Sequence, residues 1–158
     1  MTTYRTHVGI LGAGPAGLLL AHLLGKAGID SVVIDGRTRD DIEGTVKAGI
    51  VESPAAEVLA ESGVSDRIYR EGMKHDGIEF HFDGQAHRFD FQELVGKSVY
   101  LYPQHEVLKD LIAARERDGV LPLFEHTATA VEDAATAKPR IVGTTAGGEP
   151  FEIVADVV

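Results

Sequence analysis

Cysteine and tryptophan are absent from this 158-residue chain. Without cysteine there is no disulfide framework, no thiolate metal site and no cysteine nucleophile. Basic residues are scarce: 15 Lys and Arg stand against 25 Asp and Glu, for a formal charge of −10. A surface of that sign argues against nucleic acid and anionic membranes as partners, since both need positive patches. Long apolar runs are missing as well. The one stretch near the N-terminus is broken by Gly12, Gly14, Pro15 and Gly17 and followed by His22 and Lys26. Neither a signal peptide nor a membrane span fits it, and a soluble, cytoplasmic protein is the expectation. The length suits one domain or part of one, with room for a real core.

What the chain does have is glycine in one telling place. Val8-Gly-Ile-Leu-Gly-Ala-Gly-Pro-Ala-Gly17 leads into an apolar helix and then into Ser31-Val-Val-Ile-Asp35. Strand, glycine turn, helix, strand and acid, in that order, form the unit with which α/β proteins hold the ADP half of a dinucleotide. Gly12 allows the sharp turn out of the strand, and Gly14 lets the backbone approach a pyrophosphate. Gly17 lets the helix lie close on the sheet. The helix start presents N–H groups and a positive dipole end to phosphate. Asp35 ends the second strand, where a carboxylate can accept ribose hydroxyls. An acid there suits the unphosphorylated ribose of FAD or NAD, and these residues do not choose between the two.

The remaining chain is mixed. Leu18, Leu19, Ala21, Leu23, Leu24 and Ala27 make the first helix apolar, and Gly28 is its expected C-terminal stop. Gly36–Asp41 is charged and reads as loop. Ser53-Pro54 reads as a helix start with serine as N-cap, running to Gly63, and Ser65-Asp66 opens a short helix over 67–71. Gly77–Phe82 and Gln85–Asp90 alternate around Asp83-Gly84, a strong hairpin turn. A strand over 98–102 precedes Pro103 and a helix over 104–118. Strands are expected at 127–131, 140–144 and 151–158, with Gly147-Gly148 turning between the last two. Because the apolar run over 153–158 carries no polar tail, the expectation is that these residues are the front of a longer protein. His81 and His87 flank the hairpin and could face each other, but ordinary strand histidines are expected, because nothing else completes a metal site. Ser53 and Ser98 lack any nucleophile-elbow context.

Beyond the glycine motif, Gly14-Pro-Ala-Gly-Leu-Leu-Leu20, Lys26-Ala-Gly-Ile-Asp30, Lys47-Ala-Gly-Ile50, Glu71-Gly72, His75-Asp-Gly-Ile78, Asp90-Phe91 and Tyr102-Pro-Gln-His-Glu-Val107 follow in order. Together they resemble the N-terminal part of the 4-hydroxybenzoate 3-monooxygenase family of class A flavoprotein aromatic hydroxylases. The similarity runs from about Thr6 to the last residue. It implies a Rossmann-like α/β FAD-binding domain, with a parallel sheet containing the βαβ unit plus an antiparallel β-meander. Residues 1–158 would be the N-terminal part of that domain, truncated before the substrate domain.

The resemblance implies FAD as the cofactor and NAD(P)H as electron donor. It also implies a small aromatic acid and O2 as reactants, and a homodimer as one assembly. Gly12, Gly14 and Ala16 would face the pyrophosphate and Asp35 the adenosine ribose, with Gly17 counted among the cofactor-binding residues of the same turn. The loop of Thr45, Lys47, Ala48, Gly49 and Ile50 would run past the ribityl chain and flavin, and Gln104 would hydrogen-bond FAD. On the residues alone, Lys47 reads more readily as a solvated charge and Gln104 as a plain helix start, and only the resemblance draws them toward the cofactor. The family usually has arginine at positions 45 and 47, often arginine at 36 and commonly glycine at 103. Thr45, Lys47, Gly36 and Pro103 therefore depart from it, and a lysine supplies a point charge where arginine supplies a fork. No catalytic residue falls within these positions. Two other readings remain: a non-catalytic FAD-binding fragment, and a small NAD-dependent Rossmann dehydrogenase. The strands after Gly77 disfavour the dehydrogenase.

Overall fold

A computed structural model describes all residues, Met1–Val158. In chain order the first elements are β1 (Thr2–Arg5), β2 (Val8–Leu11), α1 (Pro15–Lys26), β3 (Ser31–Ile34) and α2 (Arg39–Gly44). Next come β4 (Ile50–Glu52), α3 (Ser53–Glu61), α4 (Arg67–Glu71), β5 (Met73–His75), β6 (Gly77–Phe82), β7 (Gln85–Asp90), α5 (Phe91–Val95) and β8 (Val99–Leu101). The chain then runs through α6 (Gln104–Arg117), β9 (His126–Glu132), β10 (Arg140–Thr145) and β11 (Pro150–Val154). These fall into two units, Met1–Thr45 with Leu108–Val158, and Val46–Val107.

In the first unit β2 and β3 pair in parallel, Val8 opposite Ser31 and Leu11 opposite Ile34. The crossover between them is α1, which ends as its sequence requires: Gly28 has φ 74°, and its N–H donates to the Gly25 carbonyl. A second sheet has the order β1-β11-β10-β9. Its last three strands form the antiparallel meander, while β1 runs parallel to β11, Thr2 opposite Phe151. Single parallel bridges join Val8 of β2 to Val157, beyond the end of β11, and Ile34 of β3 to Leu123, ahead of β9. Ile34, Ile141, Phe151 and Ile153 are fully buried together, and Tyr4, Val32, Leu123 and Ala128 pack against them. Fully burying an aliphatic side chain of this size contributes about 1.5–3 kcal/mol, so this cluster anchors the unit.

Two expectations need correction here. The charged segment after Asp35 is not all loop, because Arg39–Gly44 forms α2. Thr38 accepts a hydrogen bond from the Asp41 amide while the Asp41 carboxylate accepts one from the Thr38 amide, a reciprocal cap. Ile42 then turns inward and is completely buried, so one apolar residue suffices to seat the turn. The final strand is also shorter than expected, ending at Val154.

In the second unit β8 is flanked by β4 and β5, both antiparallel to it. Strands β6 and β7 form the expected hairpin, with Asp83 at φ 51° and Gly84 at φ 71°, the signs a two-residue turn of this hand requires. Ala56, Leu59, Val64 and Ile68 are buried along the helical stretch of this unit. Glu52 rather than Ser53 is the N-cap of α3, and Pro54 keeps its place in the first turn. Ser53 is diverted because its hydroxyl donates instead to the Ser98 carbonyl at 2.6 Å. His81 and His87 do not face each other: His81 lies opposite Ala86 and bonds Glu79, while His87 stacks on Phe82. No group of three or more His, Cys, Asp or Glu is placed to hold a metal ion. No helix is long and apolar enough to cross a membrane.

Candidate cofactor-binding site

The glycine turn is built by contacts that only glycine permits. Gly12 leaves β2 with φ 102°, and its N–H donates to the Ile34 carbonyl at 2.8 Å, tying the turn to the end of β3. A Cβ on Gly17 would lie 2.2 Å from the Gly12 carbonyl oxygen, so the first turn of α1 rests directly on the loop. At Gly14 the opposite holds: a Cβ would meet nothing within 4 Å, leaving open space in front of the helix. Gly14 is the N-cap, Pro15 follows it, no side chain caps the helix, and no acid stands in its first turn. Leu18 donates to the Gly14 carbonyl, which leaves the amides of Ala16 and Gly17 without an intrahelical acceptor. Open space, uncapped amides and the positive end of the dipole make a cradle that fits a phosphate group.

Asp35 stands beside that turn and is buried. Its Oδ2 accepts from the Ala13 amide at 2.9 Å, so the acid is fastened to the glycine loop itself. Its Oδ1 accepts from the Arg37 amide at 3.0 Å. The Arg37 guanidinium completes the set, with Nε on Oδ1 at 3.0 Å and Nη2 on Oδ2 at 2.9 Å. Burial works to raise the carboxyl pKa, but the Arg37 and Ala13 hydrogen bonds and the Arg37 charge outweigh it, and the pKa lies below its ordinary value. Asp35 is therefore ionised at neutral pH. Sequence reasoning found the acid but missed Ala13 and Arg37. The only signal was an arginine two positions after it, which looked like part of a solvated loop.

Thr45 closes α2: its amide and hydroxyl both donate to the Asp41 carbonyl. Its hydroxyl is thus used locally.

In the second unit, Lys47, Ala48 and Ile50 are exposed and Gly49 is half-buried. The structure brings Gly49 and Gln104 together. A Cβ on Gly49 would lie 2.2 Å from the Tyr102 oxygen and 2.8 Å from the Gln104 nitrogen, and the Tyr102 amide donates to the Gly49 carbonyl at 2.9 Å. The close backbone approach anticipated at Gly49 is thus made to the chain itself. Gln104 is the first residue of α6 and is half-buried.

A family model described as FAD binding domain matches residues 5–158. This chain belongs to the FAD-binding domain family. The p-hydroxybenzoate hydroxylase of Acinetobacter baylyi is 38% identical over 159 residues, covering 100% of this chain and 39% of its own length. A 3-(3-hydroxyphenyl)propionate/3-hydroxycinnamic acid hydroxylase of Burkholderia vietnamiensis is 39% identical over 162 residues, covering 98% of this chain and 29% of its own length. Among solved structures, the anhydrotetracycline hydroxylase of Streptomyces rimosus superposes with a TM-score of 0.78 at 26% identity, over 96% of this chain and 30% of that one. The chain thus spans well under half the length of these relatives. FAD is the cofactor of this domain family, and the cradle in front of α1 fits its pyrophosphate.

Proposed function

We propose that this chain is the FAD-holding portion of a monooxygenase that hydroxylates a phenolic acid, such as 4-hydroxybenzoate, using NAD(P)H and O2. The observation that carries the cofactor half is the pairing of an uncapped, glycine-fronted helix with an ionised acid bonded to the Ala13 amide. The aromatic-acid half is supported by the likeness to two hydroxylases of such acids over nearly the whole chain. The substrate-binding part belongs, on this reading, to sequence outside these residues.

When bound, FAD supplies the redox and oxygen-transfer chemistry. The chain's own residues bind and orient it. Gly12 and Gly14 let the backbone come close to the pyrophosphate, and the Ala16 and Gly17 amides donate to it. Asp35, kept ionised by its neighbours, accepts from the adenosine ribose, a charge-assisted bond that contributes about 1.5–3 kcal/mol. In the second unit the resemblance assigns Lys47, Ala48, Gly49, Ile50 and Gln104 to the ribityl and flavin side, with Thr45 leading into that loop.

The test is to mix the purified chain with FAD, remove free ligand by desalting, and record the visible flavin band. Retained flavin, with NAD leaving no comparable trace, is expected. A folded chain that retains no flavin would overturn the reading. The chain by itself is expected to form no 3,4-dihydroxybenzoate from 4-hydroxybenzoate with NADH or NADPH. Detectable product would show that the substrate site lies within these residues.

A further inference from the structure

A carboxylate offers about four lone-pair positions, two on each oxygen. At Asp35 all of them are taken: Ala13 and Arg37 contribute backbone amides, and the Arg37 guanidinium contributes Nε and Nη2. The two amide bonds hold the carboxylate in place. The two guanidinium bonds are of another kind, because they come from one side chain that is 46% exposed and able to leave. They also form a parallel pair of donors, one to each oxygen, which is the pattern two neighbouring ribose hydroxyls would make. In this structure the arginine occupies the seat that the diol needs.

We propose that Arg37 is a resident competitor for the ribose seat on Asp35, its guanidinium holding both oxygens until the cofactor's 2′,3′-diol displaces it. This rests on the assignment of Asp35 to the adenosine ribose. The arginine keeps the buried acid ionised, oriented and paired while the domain is empty. The diol then replaces two bonds with two bonds, so the net gain from the ribose is smaller than for a vacant carboxylate. Arg37 is a positioning residue that sets how strongly the domain discriminates a ribose from a sugar lacking its hydroxyls.

The experiment compares ADP with 2′,3′-dideoxy-ADP, titrated calorimetrically into the unaltered chain, Arg37→Met, Arg37→Lys and Asp35→Ala. Removing a cation weakens both nucleotides alike, so the ratio of their affinities isolates the diol. The preference for ADP is expected to rise about threefold in Arg37→Met, the scale of a half-exposed ion pair. It should rise less in Arg37→Lys, which keeps the charge without the fork. An unchanged or smaller preference in Arg37→Met would overturn the proposal, showing that arginine and diol do not compete. Asp35→Ala should abolish the preference. If it does not, the ribose assignment itself is wrong and the proposal falls with it. Circular dichroism of each variant checks that the fold is kept.

Discussion

Gly17 touches Gly12 backbone to backbone, leaving no room between them for even one methyl group. Gly17→Ala should therefore push α1 off the loop or reopen the turn. A loss of about 1–3 kcal/mol is expected, as for overpacking a tight contact. FAD should no longer be retained on desalting, and the thermal midpoint by circular dichroism should fall.

Gly49 and Gly44 lie five positions apart and should respond oppositely to the same change. A Cβ on Gly49 meets the Tyr102 oxygen and the Pro103 and Gln104 backbone, whereas one on Gly44 meets nothing within 4 Å. Gly49→Ala should lower the urea midpoint because backbone atoms cannot yield. Gly44→Ala, at the end of α2, should leave stability unchanged or raise it, by up to about 1 kcal/mol, and the urea midpoint should hold or rise accordingly.

Thr38→Ala removes the hydroxyl that caps α2. A loss of about 1 kcal/mol is expected from the cap alone. The effect should appear in chemical denaturation without loss of FAD binding, since Thr38 lies outside the proposed ribose and pyrophosphate contacts.

Asp35 gives a pH signature. Its folded-state pKa lies below the ordinary 3.8, so the folded chain holds the carboxylate more readily than the unfolded chain does. The stability it contributes is fully present above that ordinary value and is lost as pH falls through the folded value. The difference in denaturation midpoint between the chain and Asp35→Asn should accordingly be constant from neutral pH down to about 5 and shrink below about 4. A difference that instead grew on acidification would contradict the hydrogen-bonding set at this residue.

Much of the fold was legible because its signals are local. The glycine turn, the apolar helix to Gly28, the Asp83-Gly84 hairpin and the Gly148 turn are each specified within a few residues by φ requirements or period. The missed elements, β1, α2, β4, β5 and α5, are all six residues or shorter and show no clear local period. Strands β4 and β5 have three residues each, too few to show alternation, and α2 carries a single buried apolar residue.

By itself, then, the sequence determined the strand–glycine turn–helix–strand–acid unit and its resemblance, because dihedral limits and hydrophobic period act over short spans. Only the tertiary structure decided which partners those residues take. Thr2 meets Phe151 across the length of the chain, and the Ser53 hydroxyl goes to Ser98 rather than to its own helix. Gly49 backs onto the segment before α6, and the Asp35 carboxylate is filled by Ala13 and Arg37. Such pairings are settled by which donors and acceptors are left facing one another once the core has closed, and no spacing in the sequence records that.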